Sequence, residues 1–180
     1  RYLSSAASDV YKRQTDIYFI DIIYLFLTDN RTRKFIGDNM SARDVLKQIK
    51  SKNVEYVDLR FTDPRGKLQH LTMDKTIVDE GMLNDGVFFD GSSIAGWKAI
   101  NESDMILKPD LSRTVMDPYT SHNTMILFCD ILDAVKKDPY ERDPRGIAKK
   151  AEAYLKKTGI GDKAYFGPEP EFFVFDDVKI

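Results

Sequence analysis

The sequence has 180 residues, enough for one domain or for one domain and part of a second. The 27 Lys and Arg residues nearly balance the 29 Asp and Glu residues and form no strongly basic block, which argues against a protein that binds nucleic acid through charge. The single cysteine, Cys129, excludes an internal disulfide, and its apolar neighbours predict a buried thiol in a reducing compartment. With two histidines, His70 and His122, no Cys/His zinc pattern can be built.

Residues 1–39 differ in character from the rest of the sequence. The apolar run from Ile17 to Leu27 is too short to span a bilayer as a helix and contains Asp21. Basic residues precede the run, as in a signal peptide, but no small-residue cleavage site follows it. The opening string SSAASDVYKRQ resembles a translated sequencing adapter. We therefore interpret residues 1–39 as non-native upstream translation and expect Met40 to be the natural start.

The segment after Met40 predicts an N-terminal helix over residues 40–51. Ser41 can cap this helix, and Asp44 three residues later completes a capping-box pattern. The apolar residues of the segment fall on one stripe, which comprises Val45, Leu46 and Ile49.

Two stretches of alternating residues then predict a β-hairpin. VEYVDLRF places Val57, Leu59 and Phe61 on one face of a strand and charged residues on the other. TDPRGK supplies a turn and LQHLTM supplies the returning strand, on whose surface we expect His70 rather than in a metal site. The following stretch, DKTIVDEGML, predicts a short helix.

Three short apolar stretches, DMILKPD, TVMD and TMILFCDIL, are flanked by Asp, Pro or Ser and predict three further strands. Two hairpins and a helix on a mixed sheet predict a small α+β domain that ends near Ala134. A second helix is then predicted, capped by Asp143, with Pro144 in its first turn and Gly159 at its end. Its predicted buried stripe consists of Ile147, Ala151, Tyr154 and Leu155.

The stretch YFGPEPEFFVFD places two carboxylates, Glu169 and Glu171, at the entrance of an aromatic segment. Phe172 to Phe175 favour a strand, in which alternate residues lie about 7 Å apart on one face. Each carboxylate could then reach a different hard cation, Mg²⁺ or Mn²⁺, although further ligands must come from elsewhere. The alternative is a strand entry whose acids face solvent or pair with Lys or Arg.

The stretch FFDGSSIAGWKAINESDMIL combines Gly91 and Gly96 with two serines, an acid and the only tryptophan of the sequence. Glycines let a backbone approach another group closely. By composition alone, a long surface loop is the favoured interpretation of this stretch.

As full strings, FDGSSIAGWKAINESDM and FGPEPEFFVFD closely resemble two signatures of type I (bacterial) glutamine synthetase, in the order and at the separation found in that family. VDLRFTDPRGKLQH and DPYERDPRGIAKKAEAYL resemble it too, so the resemblance extends over residues 40–180. It implies an α+β chain with a β-grasp domain over residues 52–136. The truncated start of an α/β catalytic domain would follow over residues 143–180.

The resemblance implies ATP-dependent ligation of ammonia to L-glutamate through a γ-glutamyl phosphate. Two divalent cations, Mg²⁺ or Mn²⁺, would assist, because phosphoryl transfer gathers negative charge on several oxygens. Glu169 matches a ligand of the metal nearer the nucleotide phosphates, and Glu171 a ligand of the metal nearer glutamate. Asp90 matches the acid that holds ammonium and takes its proton. Ser93 and Trp97 lie in the same loop and are expected to shape it.

The family also implies a cytoplasmic homo-oligomer, a double-ring dodecamer at full length, in which the β-grasp domain of one subunit closes the catalytic site of its neighbour. Neither nucleic acid nor a membrane is an expected partner, and the 180 residues alone are expected to be inactive. Two alternatives stay open. One is a β-grasp binding or assembly module without catalysis, and the other is a related γ-glutamyl-amine ligase that uses another amine.

Overall fold

The computed structural model describes residues 40–97, 103–166 and 173–179 of the chain. The described residues up to 163 belong to one compact unit, and those from 164 onwards belong to a second unit and are described by themselves. The predictions for residues 1–39, Glu169 and Glu171 lie outside the described residues.

Helix α1 (Ala42–Ser51) begins as the sequence predicts. The Ser41 side chain accepts a hydrogen bond from the Asp44 amide at 3.2 Å, and the Asp44 carboxylate accepts one from the Ser41 amide at 3.3 Å. This reciprocal capping box satisfies backbone amides at the helix start that would otherwise lack partners. The apolar stripe of the helix joins the hydrophobic core through Ala42, Val45, Ile49 and, in part, Leu46.

The described residues form six strands in one mixed sheet. In chain order these strands are β1 (Tyr56–Thr62), β2 (Leu68–Asp74), β3 (Val87–Asp90), β4 (Asp104–Pro109), β5 (Val115–Met116) and β6 (Thr124–Asp133). The spatial order is β2-β1-β6-β4-β3, and β5 pairs with β6. β1 and β6 run parallel, and the other described pairs run antiparallel. Every strand predicted between β1 and β6 is present, and β3 adds one within the stretch that composition favoured as a loop.

The predicted hairpin of β1 and β2 is confirmed, and one side chain holds its turn. Asp63 is buried, and its Oδ1 accepts hydrogen bonds from the Arg65 and Lys67 amides, each at 2.9 Å. The strand register then pairs Leu59 with Leu71.

Two short helices connect β2 to β3, where the sequence predicts one. A 3₁₀ turn (Lys75–Ile77) is capped by Asp74, and helix α2 (Glu80–Asp85) is capped by Asp79. The Asp79 carboxylate accepts a hydrogen bond from the Met82 amide at 2.7 Å. Each carboxylate starts its own turn, so the segment divides in two.

The hydrophobic core joins the apolar face of β1 to the central strands and to both helices of the domain. Its fully buried side chains include Val45, Val57, Leu59, Leu83, Met105, Leu107, Met125, Leu127 and Ile131. Cys129 lies among them, and burial raises the pKa of its thiol far above the usual value. The predicted buried thiol is therefore confirmed, and it remains protonated at neutral pH.

Helix α3 (Pro144–Thr158) has both of its predicted ends. Asp143 is buried and caps the helix by accepting a hydrogen bond from the Arg145 amide at 3.0 Å. Gly159 ends the helix at φ +71°, a left-handed conformation that glycine adopts without a Cβ clash.

The apolar stripe that the sequence predicts to be buried on α3 is exposed instead. Ile147 and Tyr154 are 54% and 68% exposed, and of the four predicted residues Leu155 alone is partly buried. Within its described unit, α3 meets the sheet through polar contacts such as that of Arg145 with Asp130 at 2.8 Å. A helical period identifies an apolar face but carries no information about what packs on it.

The strand predicted from Phe172 to Phe175 is absent from the part that the structure describes. Phe173 and Phe175 stack with their ring centroids 6.1 Å apart, and both side chains are at least half exposed. A strand obtains its backbone hydrogen bonds from a neighbouring strand. The described residues of this second unit contain no such neighbour.

Candidate functional site

Asp90 stands at the end of β3, where the strand gives way to a 3₁₀ turn (Gly91–Ser93). Its side chain is exposed, and Oδ1 accepts hydrogen bonds from the Ser92 amide at 2.8 Å and from the Ser92 hydroxyl at 2.6 Å. Two donors therefore fix one carboxylate oxygen in place at the mouth of the loop.

The hydrogen bonds of Asp90 also set its charge. The Ser92 hydroxyl and then the Ser92 amide hold the pKa of the Asp90 carboxyl below its usual value, with a smaller contribution from Ser103. Hydrogen bonds to the ionised form of an acid favour that form. Asp90 is accordingly an exposed anion at neutral pH, which suits it to attract a small cation.

At Gly91 the start of the loop packs closely against β4. The Gly91 amide donates to the Ser103 carbonyl at 2.7 Å, and a Cβ on Gly91 would stand 2.3 Å from Met105 Sδ and 3.0 Å from the Ser103 carbonyl oxygen. A side chain at this position would force Met105 to move, because the Met105 side chain occupies the space that a Cβ needs. The glycine of the DGSS string thus permits close packing of the loop against Met105 of β4.

Trp97 anchors the far end of the described loop in an aromatic cluster. Its ring is 5% exposed, stacks on Phe61 with centroids 5.6 Å apart, and meets Phe89 and Tyr140 edge-on at 6.1 Å and 5.8 Å. The buried indole Nε1 has no hydrogen-bond partner among the described residues. An unsatisfied donor costs about 1–3 kcal/mol, so packing, rather than the indole N–H, holds the ring. Ser93 is exposed on the 3₁₀ turn.

Two side chains that the sequence did not single out hold the same end of the loop. The Tyr140 hydroxyl donates to the Trp97 carbonyl at 2.9 Å, and Arg142 Nη1 donates to the Gly96 carbonyl at 2.9 Å. Both residues belong to DPYERDPR, a stretch in which the sequence predicts a helix cap and a family resemblance but no role for these two side chains. No local pattern could have paired them with a loop more than 40 residues earlier.

A second polar cluster lies on β1 and β2. Asp58 is buried, and its carboxylate accepts hydrogen bonds from Arg60 at 2.6 Å, His70 at 2.9 Å and Thr72 at 2.7 Å. Arg60 also donates to Asp117 at 2.5 Å. His70 is 63% exposed, as expected of a residue on the strand surface.

The charged side chains of this second cluster are hydrogen-bonded to one another. Burial alone would raise the pKa of Asp58, but the hydrogen bonds from Arg60, His70 and Thr72 outweigh burial and hold that pKa below its usual value. A pocket of about 380 Å³ opens beside the cluster, and its wall is completed by Tyr56, Thr120, Ser121, His122 and Thr124. The charged groups of the cluster already have hydrogen-bond partners within the sheet. We therefore interpret the cluster as structural and not as a ligand site.

The predicted metal ligands, Glu169 and Glu171, lie outside the described residues, so the structure gives no geometry between them and Asp90. The part of the chain that is described contains no group of three or more His, Cys, Asp or Glu side chains able to hold a metal ion. In the same part of the chain, no helix combines the length and the apolar character needed to cross a membrane.

Two family models match the chain. The model described as "Glutamine synthetase, beta-Grasp domain" matches residues 53–134. The model described as "Glutamine synthetase, catalytic domain" matches residues 141–180. Together the two matches cover more than half of the chain.

The curated relatives that match the chain are also named glutamine synthetase. Over 139 residues the chain is 67% identical to the glutamine synthetase of Rhizobium meliloti (strain 1021) and 63% identical to that of Azorhizobium caulinodans. Each match covers 77% of this chain and 30% of the relative. The chain therefore spans about 30% of the length of these curated relatives.

A solved structure agrees with this relationship. The cryo-EM structure of Plasmodium falciparum glutamine synthetase matches with a TM-score of 0.63 and 27% sequence identity, over 69% of this chain and 24% of that chain. The mixed sheet is thus the predicted β-grasp fold, followed by the start of a catalytic domain. From its sequence and its fold, the chain belongs to the glutamine synthetase family.

Proposed function

We propose that this chain is the N-terminal part of a glutamine synthetase, which ligates ammonia to the side-chain carboxylate of L-glutamate at the expense of ATP. The side-chain carboxylate of glutamate takes the terminal phosphoryl group of ATP, and ammonia then displaces phosphate from the γ-glutamyl phosphate. The relatives at 67% and 63% identity support this proposal by name. We place the protein in the cytoplasm, in keeping with its single, buried and protonated thiol.

The observation that carries the proposal is the anionic, exposed and doubly hydrogen-bonded carboxylate of Asp90. A fixed anion attracts ammonium by charge, and a carboxylate oxygen next to the bound cation can accept one of its protons. The proton moves from nitrogen to the Asp90 oxygen and leaves neutral ammonia, whose lone pair attacks the acyl carbon. Ser92 would keep Asp90 ionised and oriented before this transfer, while Ser93 and Trp97 are proposed to support the loop.

Glu169 and Glu171 are proposed as metal ligands from the sequence alone, as one ligand for each of two divalent cations. When bound, Mg²⁺ or Mn²⁺ would neutralise charge on the transferring phosphoryl group.

We further propose that the active site is shared between subunits of a closed ring, stacked as a double-ring dodecamer at full length. Asp90 is an exposed residue at the end of a strand, where a neighbouring copy could approach it. A site that needs a carboxylate here and metal ligands elsewhere can be completed by the catalytic domain of a neighbouring copy. Head-to-tail contacts of this kind close into rings.

A β-grasp module that binds without catalysis is the second candidate. It is favoured by one observation, namely that the described residues 40–97 and 103–163 contain a six-stranded sheet and a hydrophobic core of their own. The two candidates differ in their dependence on Asp90, because a module that only binds would retain its binding when Asp90 is replaced.

The test uses a chimera, defined as the 180-residue chain continued by the part of the Rhizobium meliloti relative that lies beyond the match. The chimera should release phosphate from ATP only when both glutamate and ammonium are present, and Asp90→Ala should abolish most of that release. Asp85→Ala, which removes an exposed carboxylate at the end of α2, is the matched control and should retain activity. The 180-residue chain alone should release no phosphate above background. A fully active Asp90→Ala chimera would contradict the proposal.

A further inference from the structure

The segment between β6 and α3 is held to the sheet by two hydrogen bonds to the backbone of Ile131. The Tyr140 amide donates to the Ile131 carbonyl at 2.8 Å, and the Ile131 amide donates to the Asp143 carboxylate at 3.2 Å. Both backbone groups of one buried residue on β6 therefore hold this segment. Tyr140 and Asp143 are themselves 8% and 1% exposed, so the segment is anchored at both of these residues.

Two side chains reach from this fixed segment to consecutive carbonyls of the loop that begins at Asp90. Tyr140 donates through its hydroxyl to the Trp97 carbonyl, and its ring packs edge-on against the indole. Arg142 donates through Nη1 to the Gly96 carbonyl. Gly96 itself has φ +88°, so the backbone turns sharply where the two donors meet it.

Two backbone hydrogen bonds, each between residues three positions apart, connect Trp97 back to the residue that follows Asp90. The Trp97 amide donates to the Ile94 carbonyl at 3.2 Å, and the Ile94 amide donates to the Gly91 carbonyl at 3.1 Å. Displacement of the Gly96–Trp97 end would therefore be transmitted to the residue next to Asp90. The aromatic packing of Trp97 fixes the ring, but the carbonyl contacts fix the path of the backbone.

We propose that Tyr140 and Arg142 are positioning residues for Asp90, which hold the loop of residues 90–97 so that its carboxylate meets the ammonium cation in a fixed place. This inference rests on the proposed function, because it assigns the loop a task in ammonium binding. Neither side chain touches the reacting atoms. Their loss should therefore weaken the use of ammonium and leave the use of ATP unchanged.

The first arm of the test needs no activity. Trp97 is the single tryptophan of the 180-residue chain, so its quenching by acrylamide reports on the loop alone. Tyr140→Phe retains the ring and removes the hydroxyl, and it should raise the quenching constant about twofold as the loop opens locally. Tyr154→Phe, on the exposed face of α3, is the matched control and should leave quenching unchanged.

The second arm measures ammonium KM and ATP KM in the chimera. Tyr140→Phe and Arg142→Gln should each raise the ammonium KM about threefold to tenfold, the effect expected of one lost hydrogen bond, with the ATP KM unchanged. Arg142→Lys retains a donor and should recover part of the loss, which a general loss of stability would not do. These variants bear on the inference only after the unmutated chimera is shown to be active.

The outcomes separate the inference from the proposed function. An active chimera whose Tyr140→Phe and Arg142→Gln variants have an unchanged ammonium KM overturns the inference and leaves the function standing. Equal increases in ammonium KM and ATP KM also overturn it, because they indicate a general disturbance. An inactive unmutated chimera contradicts the proposed function, and the quenching of Trp97 in Tyr140→Phe and in Arg142→Gln then decides whether the two side chains hold the loop.

Discussion

Gly91 and Met105 lie so close together that a Cβ on Gly91 would stand 2.3 Å from Met105 Sδ. This contact joins the end of β3 to β4 directly below Asp90, and the Gly91 amide reinforces it by donating to the Ser103 carbonyl. The position of the candidate catalytic carboxylate therefore depends on a residue that has no side chain.

Gly91→Ala should destabilise the fold by about 1–3 kcal/mol, because an added methyl group forces the methionine or the strand to move. Gly146→Ala, on the first turn of α3, is the control, since its Cβ would meet other atoms at 3.5 Å or more. That substitution should be neutral or stabilising by up to about 1 kcal/mol. Urea unfolding of the 180-residue chain measures both changes, and equal stabilities for the two variants would refute the packing argument.

Ser92→Ala should raise the pKa of Asp90 towards its usual value, because the hydroxyl makes the largest contribution to lowering it. The direction follows from the donor that is lost, since it stabilises only the ionised carboxylate. Ser112→Ala removes the corresponding hydroxyl beside Asp110 and serves as the matched control. Carboxyl NMR signals followed through a pH titration measure the shift, and an Asp90 pKa that is unmoved or lowered would count against this assignment.

Asp58 should make the fold sensitive to acid. Its pKa is lower in the folded state than in the unfolded chain. Its contribution to stability is therefore fully present above the unfolded-state pKa, which is about 3.9, and is lost as pH falls through the folded-state value. Asp58→Asn should lower the free energy of unfolding at pH 7 by about 1–3 kcal/mol, because Arg60 loses one of its two charged partners and retains Asp117.

The same variant should flatten the dependence of stability on pH in the acid range. Asp162→Asn, an exposed residue beyond α3, provides the control and should change neither the stability nor its pH dependence. Thermal or urea unfolding at a series of pH values distinguishes the two. If the free energy of unfolding of Asp58→Asn still falls with acid as steeply as that of the unmutated chain, another carboxylate is responsible for the acid sensitivity.

The proposal of an active site shared between subunits predicts recovery of activity in mixed rings. Chimeras carrying Asp90→Ala or Glu171→Ala should each be nearly inactive as homo-oligomers, the first without the ammonium acid and the second without a proposed metal ligand. When the two are dissociated and reassembled in equal amounts, about one interface in four should join an intact Asp90 to an intact Glu171. Verified mixed rings that remain as inactive as either parent would place both residues in one chain.

Local signals in the sequence predicted much of this fold, because capping and alternation are local. The pairing of Ser41 with Asp44 marked the start of α1, and the alternation of Val57, Leu59 and Phe61 marked β1. The apolar face of α3 was assigned a burial it does not have, because periodicity does not reveal the partner. The incorrect prediction concerned the burial of this face, whereas the helix itself was predicted correctly.

The candidate site was predicted only in part, for a related reason. Asp90 stood out through a long string that resembles a family signature, whereas the donors that hold its loop are distant in sequence. Tyr140 is 43 residues from Trp97, and Arg142 is 46 residues from Gly96. Contacts of that separation depend on the path of the chain between them, which single-residue patterns do not encode. Ser92 was adjacent and still escaped notice, because its role depends on the turn that Asp90 starts.

The central claim is that this chain supplies the ammonium-binding carboxylate of a glutamine synthetase. The most direct test is the product that the chimera forms from ¹⁵N-labelled ammonium, glutamate and ATP. We predict glutamine labelled in its side-chain amide, together with the loss of most labelling in Asp90→Ala and its retention in Asp85→Ala. Absence of labelled glutamine from the unmutated chimera, or undiminished labelling in Asp90→Ala, would contradict the claim.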